Sequence, residues 1–159
     1  MKISELVRES NSRQNLSDMR IRCLSPMPSA EQLLVLGQDY YQNRAFHVHA
    51  GAAYVVLGLT FHIRSNLYGT TMTVEIQDDY GRLATVPLCL FEIVDEHLST
   101  YWVIRHWTDG TVAMWPPSFF ADFYHDDLSE GVAEVVSDYA RVKRQIEAEA
   151  DAGSSDSRE

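Results

Sequence analysis

The chain is poor in the features that would open several protein classes to it. It has two cysteines, Cys23 and Cys89, too few for a disulfide framework or a four-ligand zinc site. Its longest apolar run, YVVLGLTF from Tyr54 to Phe61, is far shorter than a bilayer-spanning helix. The opening MKISELVRESNSRQ has no apolar stretch of the signal-peptide kind. A reducing cytoplasmic setting without membrane attachment is the expectation that follows. Basic residues are also scarce: 13 Lys and Arg stand against 23 Asp and Glu, for a net charge of -10 and a pI near 4.9. That field opposes phosphate contact and argues against nucleic acid as a partner. It steers a basic protein inward instead. Among catalytic signatures the chain has no Gly-x-Ser-x-Gly, no phosphate-binding glycine loop, no dinucleotide fingerprint and no His-Glu-x-x-His. No catalytic residue, cofactor or metal is therefore assigned.

What is present suits one globular domain of 159 residues, 45% hydrophobic and 23% charged. Residues 1–45 read as a partly irregular N-terminal segment. ISELVRE could form a short helix, and Pro26 and Pro28 break regular structure. Ser29 and Gln32 then have the spacing of a capping box for a helix starting at Ala30, which Gly37 soon weakens. LGQDYYQNRAF stays ambiguous.

From Phe46 the composition turns β-branched and aromatic. FHVHA and YVVLGLTFHI read as extended pieces around a Gly51–Ala52 turn. TTMTVEIQ alternates Met72, Val74 and Ile76 against Thr71, Thr73, Glu75 and Gln77, the pattern of a half-buried antiparallel strand with a solvated polar face. RLATVPL, CLFEIVD, TYWVIRHW and TVAMW follow as strands, separated by turn chemistry at DDYG, DEHLS and TDG. The expected fold is α+β: a small antiparallel β-barrel, similar to an SH3-like one, or a strongly bent sheet, with C-terminal helices packed on it. Residues 46–150 form that domain. Pro117 opens a short helix carrying Phe119, Phe120 and Phe123. Asp127 and Glu130 have capping-box spacing for a longer one. Its apolar stripe runs through Leu128, Val132, Val135, Val136, Tyr139, Val142 and Ile146, with Glu130, Glu134, Asp138, Arg141 and Glu149 opposite. Residues 151–159 read as a disordered tail.

Three clusters invite a functional reading. Asp78-Asp79-Tyr80-Gly81 lacks the alternating carboxylates and distal Glu of a calcium loop, and turn chemistry explains each of its residues. His125-Asp126-Asp127 has no second ligand four residues on, so helix capping is the expected role of its carboxylates. His47 and His49 share one face if their segment is a strand. With His62, and His97 or His106, they could converge on a metal, though no carboxylate stands at matching spacing. Cys89, flanked by Leu88, Leu90 and Phe91, reads as a small core residue.

The aromatics between Tyr101 and Tyr124 exceed what one strand face needs, and aromatic anchors rimmed by acids make a protein-binding patch. The expected partner-facing residues are Glu92, Asp95, Glu96, Trp107, Asp109, Trp115, Asp126 and Asp127. In size and composition the chain resembles the small acidic immunity proteins that bacteria pair with secreted toxins. That resemblance implies a non-catalytic protein-binding module, monomeric or dimeric, that neutralises a basic toxin or effector. Two other readings stand beside it. One is a metal-dependent hydrolase or small-molecule binder using His47, His49 and His62. The other is a structural accessory subunit of a phage or secretion assembly, docking through VVSDYARVKRQIEAEA.

Overall fold

The computed structural model describes residues 18–36, 41 and 44–154. The ISELVRE segment, Gly37 and residues 155–159 lie outside them. The fold is α+β with two antiparallel sheets, and among the described residues no closed barrel forms. Strands β1 (Arg20–Cys23), β2 (Ala53–Val55) and β6 (Phe91–Asp95) form the smaller one, in the order β2-β1-β6. The larger contains β3 (Gly58–Ser65), β4 (Gly69–Gln77), β5 (Leu83–Pro87), β7 (Val103–His106) and β8 (Val112–Trp115), in the order β5-β4-β3-β8-β7. Closure fails because the chain leaves the larger sheet after β5. A 3-10 turn at Leu88–Leu90 carries it into β6, which pairs with β1.

The chain crosses between sheets a second time at Val56–Leu57. The Val56 N–H donates to the Met19 carbonyl at 2.9 Å, and the next N–H, of Leu57, donates to the Glu75 carbonyl at 2.7 Å. Ile21, Cys23 and Phe91 of the smaller sheet pack with Leu59, Val74, Ile76 and Val86 of the larger into one apolar core. Burying such side chains contributes about 1.5–3 kcal/mol each. The N-terminal segment is thus not merely irregular: β1 is the central strand of its sheet, with Ile21 fully buried. Its four residues alternate Arg20, Ile21, Arg22 and Cys23, a period-2 pattern too short to stand out beside the prolines that follow.

The capping box at Ser29 forms as expected. The Gln32 N–H donates to Ser29 Oγ at 3.1 Å and the Ser29 N–H to Gln32 Oε1 at 2.9 Å, opening helix α1 (Ala30–Val35). Asp78-Asp79-Tyr80-Gly81 is the expected turn. Asp78 Oδ1 accepts from the N–H groups of Tyr80 and Arg82 at 3.0 and 2.9 Å, and Gly81 supplies a φ of 76°.

Several expectations need correction. Residues 46–52 form no strand, so His47 and His49 do not share a strand face. Cys89 is exposed and Cys23 is the buried thiol, because the 3-10 turn sends Leu90 inward and leaves Cys89 outside. Asp127 caps no long helix. It lies inside α2 (Tyr124–Glu130), which starts after Phe123 and ends at Gly131, both with positive φ. The long helix α3 begins only at Ala133 and runs to Ser154, through the first residues of the expected tail. Of its stripe Tyr139, Val142 and Ile146 are buried against Leu57, Phe119 and Tyr124, while Val132 and Val136 are exposed. Glu149, placed on the solvated face by periodicity, is buried. It accepts from Ser99 Oγ at 2.7 Å and from the N–H and hydroxyl of Thr100 at 2.9 and 2.6 Å.

Candidate functional site

Strand alternation gives the larger sheet two faces of opposite character. One carries Leu59, Val74, Ile76 and Val86 into the core. The other is polar, and the register brings its residues side by side. Thr60 lies opposite Thr73 and Ala113, while Glu75 lies opposite Gly58 and Thr85. Thr73 and Glu75 were expected to face solvent; both are buried. The 3-10 turn Pro117–Phe120, helix α2 and the β7–β8 turn fold over this end of the sheet. They leave a cavity of about 450 Å³ lined by hydroxyls, aromatic rings and two carboxylates.

Glu75 is the central group. Its residue is 3% exposed. Oε1 accepts from Thr85 Oγ1 at 2.9 Å, and Oε2 has no partner among the described residues. The nearest basic nitrogen is His125 Nε2, 3.9 Å from Oε2, beyond hydrogen-bond range and itself buried and unpaired. Burial pushes the Glu75 carboxyl up to about 7, against a smaller opposing effect of the Thr85 bond. Burial also lowers the His125 pKa, against a smaller opposing effect of Asp126, and so favours the neutral imidazole. An unsatisfied buried polar atom costs about 1–3 kcal/mol, and here two face each other at one cavity.

The walls are built from side chains that fix one another. The Trp115 indole Nε1–H donates to Thr60 Oγ1 at 3.0 Å. Its ring stacks on Phe120 at 4.9 Å and lies 5.2 Å from the His125 ring. Trp107, half exposed, closes the group at 6.1 Å from Phe120. On β3, His62 Nε2 lies 3.0 Å from Thr73 Oγ1 and its ring 4.6 Å from Tyr68. Burial lowers the His62 pKa, with Asp109 acting weakly in the other direction. Asp109, in the β7–β8 turn, accepts the Thr111 N–H at 2.8 Å, which holds its carboxylate below the ordinary range. A second cavity of about 300 Å³ adjoins, sharing Trp107, Trp115 and His125 and reaching Phe123 and Asp126.

Of the residues expected to face a partner, Trp107, Asp109 and Trp115 come together at this cavity, and Asp126 lines its neighbour. Asp127 follows on α2. Glu92, Asp95 and Glu96 do not join them. They belong to β6 and its exit in the smaller sheet, where Glu92 pairs with Arg22 at 2.8 Å and Asp95 with His97 at 2.6 Å. The histidines do not converge either. His49 lies 2.8 Å from Asp79, whose other oxygen accepts from the Tyr54 hydroxyl at 2.8 Å. The His47 ring packs at a tilt against Tyr80, 4.4 Å between centroids, while His62 faces the cavity. Among the described residues no group of three or more His, Cys, Asp or Glu could hold a metal ion. None of their helices is long and apolar enough to cross a membrane.

Glu75, Thr85, Thr73, Thr60 and Tyr68 are site residues that the sequence did not single out. The available signal was a glutamate amid threonines on the polar side of a strand, which alternation alone assigns to water. No protein-family model, curated protein or solved structure matches this chain.

Proposed function

We propose that the chain is an acidic binding module that captures a basic partner and seats a projecting polar group of it in the cavity over the larger sheet. The observation that carries this reading is the juxtaposition of Glu75 Oε2 and His125 Nε2, each left unbonded. Both are buried, both lack a partner among the described residues, and they stand 3.9 Å apart at the same cavity. A fold tolerates two such atoms at one place when a ligand repays their desolvation.

Two further features support a partner of protein size. The net charge of -10 draws a basic surface inward. Beside the cavity, Phe123 is 74% exposed and held at a φ of 62°, an expensive conformation for a bulky side chain in water. An exposed aromatic next to a polar pocket is the arrangement of an interface anchor. An inhibitor of the immunity type is one case of this reading, with the cavity gripping a basic group of the toxin.

Affinity capture from the native lysate tests it, with the wild type, Glu75→Gln and Glu96→Gln as baits. The expected result is one basic protein held at near-unit stoichiometry by the wild type and Glu96→Gln, lost with Glu75→Gln and weakened by salt. Retention by Glu75→Gln together with loss from Glu96→Gln would move the interface to the smaller sheet.

A further inference from the structure

We propose that the group seated at Glu75 is a guanidinium, carried on an arginine side chain of the partner; this rests on the binding reading above and narrows it to one chemistry. Among the described residues the cavity lining includes no Lys or Arg, and its acids are Glu75 and Asp109. Its floor offers acceptors in excess. Among the described residues Glu75 Oε2 has no partner, and burial favours a neutral His125, whose Nε2 accepts in the tautomer with its proton on Nδ1. With Glu75 ionised and the His125 proton on Nδ1, the two are acceptors 3.9 Å apart with no proton between them, and they suit a planar donor with several N–H groups.

The aromatic lining distinguishes guanidinium from ammonium. Guanidinium is planar, weakly hydrated and stacks on aromatic faces, whereas ammonium is a compact, strongly hydrated point charge. Trp107, Trp115 and Tyr68 supply such faces. The same aromatic group already takes a guanidinium from within the chain: Arg105 lies 4.5 Å over the Phe120 ring, which stacks on Trp115.

Seating a cation favours the ionised form of Glu75, so binding releases a proton to solvent wherever the free carboxyl holds one. The titratable groups around it are His125, His62, Tyr68 and Asp109 at the cavity. Tyr139 on α3 joins them, since the Glu75 charge contributes to its raised pKa. The carboxyl of Glu75 holds the proton that is lost, so affinity rises with pH from 5.5 to 8.

The test titrates the full-length chain with N-acetyl-arginine amide, N-acetyl-citrulline amide, N-acetyl-lysine amide and methylguanidine. Calorimetry reads the affinity, and the indole N–H resonances of Trp107 and Trp115 report the place. The arginine derivative should bind at least about tenfold more tightly than the isosteric neutral citrulline derivative and than the lysine derivative. Its affinity should fall as pH drops to 5.5 and be lost with Glu75→Gln. Equal binding of arginine and citrulline derivatives overturns the guanidinium assignment without needing any variant. If that equal binding still shifts both indoles and needs Glu75, the cavity reading survives. If no probe shifts either indole and Glu75→Gln still captures the partner, both fall. Methylguanidine as tight as the arginine derivative supports the chemistry with a free guanidino compound as its source, and a tighter arginine derivative supports the protein side chain.

Discussion

The indole of Trp115 occupies the space that a side chain on Gly58 would need. A Cβ built on Gly58 would stand 2.6 Å from Trp115 Cδ1 and 3.3 Å from the Met114 carbonyl oxygen. Gly58 is therefore part of the site: its bare backbone lets the indole lie across β3 and reach Thr60. Gly58→Ala should displace the ring, break the Trp115–Thr60 bond and destabilise the fold by about 1–3 kcal/mol. Urea unfolding reads the loss, and a moved Trp115 indole N–H resonance reads its cause. An unchanged midpoint and spectrum would contradict this packing.

Glu75 makes stability depend on pH. Its carboxyl is raised from 4.5 to about 7 by burial, so between those values the folded chain binds a proton the unfolded chain has released. The contribution is full below about 4.5, declines as pH climbs through 7 and is level above. Across that window it amounts to about 3 kcal/mol. Asp18, fully buried and raised to about 8, adds a slope of the same sign. The difference between wild type and Glu75→Gln isolates Glu75. The variant should gain on the wild type as pH rises from 5 to 8, measured by urea midpoints. Parallel curves would mean the carboxyl ionises normally.

Glu149 fastens α3 to the loop between β6 and β7 through three hydrogen bonds from Ser99 and Thr100. Glu149→Ala strands those donors and should cost about 2 kcal/mol or more. Hydrogen exchange at the Thr100 amide should accelerate in the same variant. A cost under about 0.5 kcal/mol would show that the latch is not needed for docking the helix.

Strand positions were largely legible in the sequence because alternation and turn residues are local signals. Met72, Val74 and Ile76 marked β4, and Asp78 with Gly81 marked its turn. The site was not legible, because it depends on register. Glu75 reads as solvated from its own strand, and only its neighbours Thr85 and Gly58, with α2 folded above, make it buried. The same holds for Glu149, which lies 50 and 49 residues along the chain from the Ser99 and Thr100 it binds. Trp107, Asp109 and Trp115 were visible as an aromatic and acidic cluster because they are close in sequence. Glu92, Asp95 and Glu96 were grouped with them by charge alone, and the chain routes them to the other sheet.

The two thiols should react at different stages. Cys89 is exposed and Cys23 buried in the core between the sheets. A thiol reagent should therefore label one cysteine per native chain and the second only on unfolding. Mass spectrometry of the labelled peptides identifies which. Early labelling at Cys23 would contradict the central place of β1.

The measurement that bears most directly on the site is a carbon-13 NMR titration of the Glu75 side-chain carboxyl, run on the free protein and again with N-acetyl-arginine amide. A midpoint near 7 in the free protein, moving down by about one unit or more when the guanidinium is present, is the predicted result. A midpoint at the ordinary 4.5, unmoved by the ligand, would contradict the assignment of Glu75 as the buried, unpaired group that receives the partner.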